Sequence, residues 1–342
     1  MTDRSRRIVN AVAPIRVCDI GGWTDTWFAK HGAVFNIAVY PYVEVQVEVT
    51  EHAEGAERVT ISAENFGQTY AIDPEHIVYD KHPLLEAAID VMRLPPEIGL
   101  RINIFSDAPP GASTGTSAAV SVALIGALDS LVGGDLGPHE VAGMAHFIET
   151  KKLGLQCGIQ DQLASAYGGI NFIAMHEFPS STVTPIRIPN SIWWELEHRL
   201  AVIYIGRPHS SSSIHNKVIE ELGENAYADR RLDRLRGLAV EARDAVVAGN
   251  FRALGRVMND NTDVQRELHP ALVCPKMEEI IAVAREFGAL GVKVNGAGGD
   301  GGSLTILTDG DMSKKRSMLR TLTGHAFTSL PLYLSRQGLR VW

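Results

Sequence analysis

Between Asp107 and Ala119 the chain reads DAPPGASTGTSAA and runs directly into the apolar stretch Val120 to Leu128. Small residues, the glycines Gly111 and Gly115, and the hydroxyls of Ser113, Thr114, Thr116 and Ser117 sit just ahead of a helix-forming segment. That composition suits phosphate. Glycine lets main-chain N–H groups come close to an anion, and the free amides of a helix N-terminus point at it. Hydroxyls can donate to phosphate oxygens or ligate a divalent metal. The stretch is not a Walker A loop, because no lysine follows Gly115, and Gly111 and Gly115 lack the spacing of a dinucleotide fingerprint. The plainer alternative is a turn with a helix N-cap, Ser113 or Thr116 serving as the cap.

A phosphate loop needs a strand before it and a helix after it. Leu100 to Phe105 alternates apolar and polar residues and predicts the strand. Val34 to Val49 predicts a longer one at period two, with Val43, Val45, Val47 and Val49 on one face and Tyr42, Glu44, Gln46 and Glu48 on the other. Ile8 to Ala13, Asn171 to Ala174, Leu200 to Ile205, Val292 to Val294 and Leu304 to Leu307 are further strand candidates. Val59 to Ile72 predicts a hairpin turning near Asn65 to Gly67. Helices are expected over Pro83 to Met92, His139 to Leu153, Gln160 to Tyr167, Asp229 to Val247 and Cys274 to Phe287. The pattern weakens around Pro179 to Pro189, where a domain boundary is expected. Helices and strands mix without a regular βαβ rhythm, which favours an α+β class.

The 342 residues allow one large domain or two moderate ones, and 45% hydrophobic with 21% charged residues is the composition of an ordinary folded protein. A net charge of -8 argues against nucleic acid or an anionic membrane as partner, though a local cationic pocket can still receive an anionic small molecule. The three cysteines, Cys18, Cys157 and Cys274, are far apart and lack metal-type spacing, which fits a reducing cytoplasm. Met1 to Asn10 is polar and basic and does not read as a signal peptide. No apolar run is long enough to span a bilayer. The surface composition admits a homodimer without identifying an interface.

Two further segments extend the phosphate-loop pattern: Ala13 to Thr26 (APIRVCDIGGWTDT) and Gly296 to Gly302 (GAGGDGG). In this order and spacing the three resemble the motifs of the GHMP kinase superfamily, named for galactokinase, homoserine kinase, mevalonate kinase and phosphomevalonate kinase. Pro110 to Ala119 follows the outline of its central motif, with Ser113-Thr114 in place of the usual Gly-Leu and Thr116 in place of the first Ser. Within the superfamily the chain is most similar to bacterial D-glycero-D-manno-heptose 7-phosphate kinases and related anomeric sugar kinases. Ala13 to Arg16, Gly21-Gly22, Thr24-Asp25, His31 to Val34, Leu153 to Gln162 and Tyr167 to Phe172 carry that similarity. The Gly-Gly-Trp-Thr-Asp form is also similar to fucokinase and arabinokinase.

The resemblance implies a two-domain α+β fold, with a ribosomal protein S5 domain 2-like N-terminal domain over residues 1–185 and a ferredoxin-like C-terminal domain over 186–342. ATP and a sugar would meet in the cleft between them. It implies an ATP-dependent, Mg²⁺-requiring kinase acting on the anomeric (C1) hydroxyl of a sugar or sugar phosphate, D-glycero-D-manno-heptose 7-phosphate first. Unphosphorylated fucose, arabinose or glucuronate is the alternative substrate, and a catalytically silent sugar or ATP sensor the alternative of another class.

The implied nucleotide residues are Pro110, Gly111, Ala112, Ser113, Thr114, Gly115, Thr116 and Ser117. Ser117 and Glu149 would hold Mg²⁺, which is content with one or two protein oxygens beside phosphates and water. Glu149 reads otherwise as a solvated helix residue paired with Lys152. Asp161 would take the proton of the attacking hydroxyl, or else merely offset a helix dipole. Arg16 would stand beside it. Gly21, Gly22, Thr24, Asp25, Gly296, Gly298, Gly299 and Arg207 fall to the substrate side, with Asp19 and Trp23 as neighbours. Arg207, followed by a run of serines to Ser213, reads either as a cation for a sugar phosphate or as a polar loop. Asp300 departs from an all-glycine third motif and would repel phosphate unless it points away.

Overall fold

A computed structural model describes residues 7–53, 55–206, 211–223 and 225–342. Two long antiparallel strands form the spine of the first sheet, β1 (Arg7–Ile20) and β2 (Gly32–Glu51). In β2, Val43, Val45 and Val47 are buried and Glu44 and Gln46 exposed, as the alternation predicts. β3 (Val59–Ala63) and β4 (Gln68–Ile72) are the expected hairpin, turning through Gly67 at φ 60°. α1 (Pro83–Met92) follows, then β5 (Ile98–Ser106), antiparallel to β2 and parallel to β3. β5 feeds the glycine loop and α2 (Thr116–Val132), whose middle is buried from Ala118 to Leu128 with one half-buried break at Val120.

The helix expected over 139–153 is not one element. α3 (Pro138–Phe147) gives way to a π-helical turn over Ile148–Lys152, which brings Ile148 and Glu149 inward while Lys151 and Lys152 face out. Such widened turns concentrate at functional sites. α4 (Gln160–Tyr167) leads to β6 (Ile170–Glu177) on the first half of β2 and to β7 (Ser180–Pro185), which pairs with β6 alone. β7 carries Ser and Thr with no buried face, so its pattern was too weak to read as a strand.

After α5 (Asn190–Arg199) the chain builds a second, four-stranded antiparallel sheet. Its strands are β8 (Leu200–Tyr204), β9 (Gly291–Val294), β10 (Ser303–Leu307) and β11 (Thr328–Leu330), in the order β11-β8-β10-β9. The helices of this half are α6 (Ser211–Leu222), α7 (Arg230–Val247), α8 (Phe251–Leu268), α9 (Pro275–Glu286) and α10 (Met312–Gly324). Asp229, Asn250 and Asp311 cap α7, α8 and α10 through side-chain oxygens, each cap worth about 1 kcal/mol. A smaller core under the second sheet gathers Ile203, Met277, Ile280, Val294 and Phe327. The α+β class expected from the sequence is what the structure has.

A cut at residue 185/186 does not separate the two sheets cleanly. α7 packs on β2, and after β11 the chain returns to the first sheet. There β12 (Tyr333–Leu334) pairs with β2 and β13 (Arg340–Val341) with β1. Between them, a Cβ on Gly338 would lie 2.1 Å from the Ala166 carbonyl at the end of α4, and Leu339 closes over Gly126 of α2.

Candidate active site between the two sheets

The last residues of β1, the loop before α2, the first turn of α4 and the turn after β9 converge on one cavity of about 380 Å³. Arg16, 4% exposed on β1, reaches across it. Its Nε and Nη2 donate to Asp161 Oδ1 and Oδ2 at 2.8 and 3.1 Å, a two-pronged ion pair, and its Nη1 donates to the Ser113 carbonyl. Its main-chain N–H donates to the Thr114 carbonyl at 2.9 Å. Burial alone would lower the Arg16 pKa; Asp161, then Asp19 and Asp25, hold it above its ordinary value. A Cβ on Gly115, at φ 72°, would stand 3.3 Å from the Asp161 carboxyl carbon and 3.4 Å from Arg16 Cγ. The phosphate loop thus lies directly against the Arg16–Asp161 pair. Gly115 is also the N-cap of α2, and no side chain caps that helix, so the Ser113 or Thr116 cap weighed from the sequence is not made. A helix that starts in a cavity without a side-chain cap offers its first amides to an anion.

Asp25 sets the position of Asp161. Its Oδ2 accepts the Gln160 N–H at 3.1 Å and so caps α4 from a distant part of the chain. Gly158 leaves room for that carboxylate, since a Cβ there would come within 2.0 Å of Asp25 Oδ2. Burial pushes the Asp25 pKa up to about 6, against the lowering effect of the Gln160 amide. A carboxyl whose folded pKa lies above its unfolded value of about 3.9 binds more protons folded than unfolded between those values, so stability falls as pH rises from about 4 to 6. Asp25→Asn, which keeps an oxygen acceptor for Gln160, is therefore expected to stabilise the fold at pH 8 by on the order of 2–3 kcal/mol and progressively less toward pH 4. Thermal melts of both forms across that range check this; a gain that does not grow with pH would contradict the buried, raised carboxyl.

Glu149, brought inward by the π-helical turn, lines the same cavity and is 7% exposed. Its Oε1 accepts Gln162 Nε2–H at 2.7 Å. Burial pushes its pKa up to about 7, with Gln162 pulling the other way. Ser117, in the first turn of α2, faces the cavity as well. Among the described residues no three His, Cys, Asp or Glu gather to hold a metal, so a cation here would draw further oxygens from phosphate and water. A buried carboxylate and a hydroxyl opening onto one cavity fit Mg²⁺ in that role. The Glu149–Lys152 pairing weighed as an alternative is not made; Lys152 donates to Asp90 at 2.8 Å.

Gly296 and Ala297 close the cavity on the side of the second sheet. The Gly296 N–H is 3.1 Å from both Asp19 oxygens. Ser303 Oγ donates to the Ala112 carbonyl at 2.6 Å, and Cys18 N–H donates to Asn295 Oδ1 at 3.1 Å, so the third glycine segment is tied to the first two by buried polar links.

Gly111, Ala112, Ser113, Thr114, Gly115, Thr116, Ser117, Arg16, Asp161, Glu149, Gly22, Asp25 and Gly296 all line the cavity, with Asp19 and Trp23. Four residues given to the substrate side do not line it. The Thr24 hydroxyl is fully buried and spends its hydrogen on the Gly21 carbonyl at 2.7 Å. Gly21 leaves room for the Ala33 carbonyl, which a Cβ would meet at 2.1 Å. Gly298 leaves room for the Leu272 carbonyl in the same way, and Gly299 donates to it at 3.1 Å. These residues shape the wall from behind. Asp300 is exposed and lies off the cavity. Arg207 lies outside the described residues.

No sequence pattern marks a second cavity of about 660 Å³ that shares Leu84, Gly111, Thr116, Ser117 and Leu155 with the first. Pro110 belongs to this one. Phe66, Tyr79, Leu85, Ile104 and Leu153 make its wall largely apolar. The hairpin and α1 were legible as elements, but nothing in their patterns marks them as ligand walls. His215 of α6 was missed too. It packs edge-on to Trp23 at 5.0 Å and shares a hydrogen bond with the Gln156 carbonyl at 2.8 Å.

The family model for the GHMP kinases N terminal domain matches residues 83–169, and that for the GHMP kinases C terminal region matches residues 242–320. Mevalonate kinase of Thermococcus sibiricus is 32% identical over 251 residues, 71% of this chain and 69% of that protein. D-glycero-alpha-D-manno-heptose 7-phosphate kinase of Campylobacter jejuni is 25% identical over 245 residues, 72% of this chain and 71% of that protein. The crystal structure of a D-glycero-D-manno-heptose 1-phosphate kinase from Bacteriodes thetaiotaomicron shares the fold, with a TM-score of 0.76 over 98% of both chains at 22% identity.

Proposed function

Because this chain belongs to the GHMP kinase family, we propose that it transfers the γ-phosphoryl group of ATP to a hydroxyl of a small polyhydroxylated substrate. The observation that carries the reading is the two-pronged Arg16–Asp161 pair lying against Gly115 at the uncapped start of α2. The β- and γ-phosphates would rest on Gly111 to Ser117 and the first amides of α2. The nucleoside would fill the apolar cavity beside Phe66 and Tyr79. Ser117 and Glu149 would hold Mg²⁺, which neutralises phosphate charge when bound.

Asp161 receives the proton of the attacking hydroxyl. Each of its oxygens accepts one Arg16 N–H and keeps lone-pair capacity for that proton. In a loose phosphoryl-transfer transition state the proton leaves late, so holding the hydroxyl in line matters more than basicity. Gly22, Asp25, Trp23 and His215 stand where the rest of the acceptor would lie.

We take the acceptor to be the anomeric hydroxyl of D-glycero-D-manno-heptose 7-phosphate, on the strength of the Campylobacter relative. A specific observation favours an unphosphorylated sugar instead. Among the described residues lining the cavity, Asp19, Asp25, Glu149 and Asp161 are acidic, and Arg16, the one Arg or Lys there, is already paired. ADP release with the heptose phosphate, free heptose, fucose, arabinose, glucuronate and mevalonate, side by side, decides. Turnover of the heptose phosphate alone supports the first reading, and no turnover of it ends that reading.

The three cysteines are unpaired thiols, and no helix among the described residues is long and apolar enough to cross a membrane. Both fit a reaction run in the cytoplasm.

The raised Glu149 pKa makes cation binding depend on pH. Below about 7 a proton competes with the cation for this carboxyl. Mn²⁺ titrations with a non-hydrolysable ATP analogue are expected to weaken between pH 8 and pH 6 more steeply in the native protein than in Glu149→Gln, by up to ~10-fold per pH unit. Equal slopes would remove Glu149 from the cation site.

A further inference from the structure

Lys293 of β9 is fully buried and does not line the cavity. Its ammonium donates to the neighbouring Val294 carbonyl and stands 3.5 Å from Asp19 Oδ1, at side-chain exposures of 1% and 2%. Burial lowers its pKa, and Asp19 opposes that. A buried ammonium is costly to keep, and the mechanism above does not use it.

What it faces gives it a use. Asp19 accepts the Gly296 N–H, and a Cβ on Gly296 would lie 3.3 Å from Arg16 Nη2. Arg16 therefore sits between two carboxylates, Asp161 on the cavity floor and Asp19 beside the third glycine segment, and both act on its charge. The order Lys293, Asp19, Arg16, Asp161 alternates in sign from the second sheet to the reacting carboxylate.

We propose that Lys293 is a positioning residue that neutralises Asp19, so that the Arg16 guanidinium stays on Asp161 rather than being shared between two anions. At 2% exposure Asp19 is little screened by water, so without Lys293 its carboxylate would compete strongly for the guanidinium. Lys293 touches neither substrate and acts only through Asp19. The inference rests on the kinase reading for its consequences in turnover, though not for the geometry itself.

The test is a cycle of three variants of the full chain. Lys293→Met is expected to lower kcat by ~100-fold, the scale of a misplaced catalytic group, with KM for ATP within about threefold. Asp19→Asn alone is expected to cost less than about tenfold, because Asn still accepts from Gly296 and no longer draws Arg16 away. The double variant is expected to regain at least about tenfold over Lys293→Met, since the harm lies in the unpaired carboxylate. A crystal structure of Lys293→Met should show Arg16 turned toward Asp19. The proposal is overturned by a double variant no better than Lys293→Met, by Asp19→Asn as damaged as Lys293→Met, or by Arg16 still two-pronged on Asp161 in Lys293→Met. If Lys293→Met does not fold, the double variant must fold, and its failure to do so overturns the proposal equally. A native chain with no turnover on any acceptor defeats the kinase reading alone, and the orientation of Arg16 in the variant then decides this one.

Discussion

Asp161→Asn is expected to lower kcat by ~10²–10⁴-fold while leaving ATP affinity within about threefold. The amide is close in size to the carboxylate but cannot take a proton from the acceptor hydroxyl. Its NH₂ also faces an Arg16 nitrogen that the second carboxylate oxygen now receives at 3.1 Å, so one prong of the pair is lost. ATP affinity should hold because the loop and the start of α2 are untouched. Steady-state ADP release and equilibrium binding of an ATP analogue together separate the two effects. A variant that turns over at the native rate would remove Asp161 from the chemistry. A native protein that binds ATP and sugar without turnover would be the silent sensor.

Removing the other half of the pair should be nearly as damaging. Arg16→Met deletes both prongs on Asp161 and the donor to the Ser113 carbonyl, where the backbone holds a φ of 59°. The loop before α2 and the Asp161 carboxylate then lose their shared anchor. Loss of one preorganised cationic group at a transferring phosphoryl costs ~10²–10³-fold in kcat. Arg16→Lys keeps the charge without the planar fork, so an intermediate loss is expected. Asp161 is 30% exposed, so water screens the carboxylate left behind and the effect on stability should be smaller than that on turnover. Rates, with melting temperatures as the control, check the ordering of Met below Lys below native. Equal rates for Lys and Arg would mean that charge alone matters here.

The parts of the fold legible in the sequence are those where one face is buried. Val43, Val45 and Val47 alternate because the other side of β2 meets solvent, and the loop before α2 shows itself by Gly111 and Gly115, both at positive φ just ahead of the helix. The short terminal strands were invisible because β12 and β13 have two residues each, too few for a period. Site residues divide by the same logic. Arg16 and Asp161 could be named, but not that Asp25 would cap α4, since that contact joins residues 135 positions apart. Thr24 carries a polar group that sequence reads as available, whereas the fold spends it on a neighbouring carbonyl. Lys293 looked like an ordinary strand residue because nothing local reveals that its ammonium is enclosed.

The return of the chain end to the first sheet bears on the order in which the protein is made. β13 supplies the partner of Ala11 and Val12, and the segment before it seals α2 and α4, the two helices that open onto the site. A nascent chain that has emerged only through residue 185 carries Arg16, the loop before α2, Glu149 and Asp161 but neither Lys293 nor the Gly296 turn, and it still lacks the strands that close its own sheet. The chain's own return thus stitches the second half to the first, and the first sheet is complete only once synthesis has reached β13.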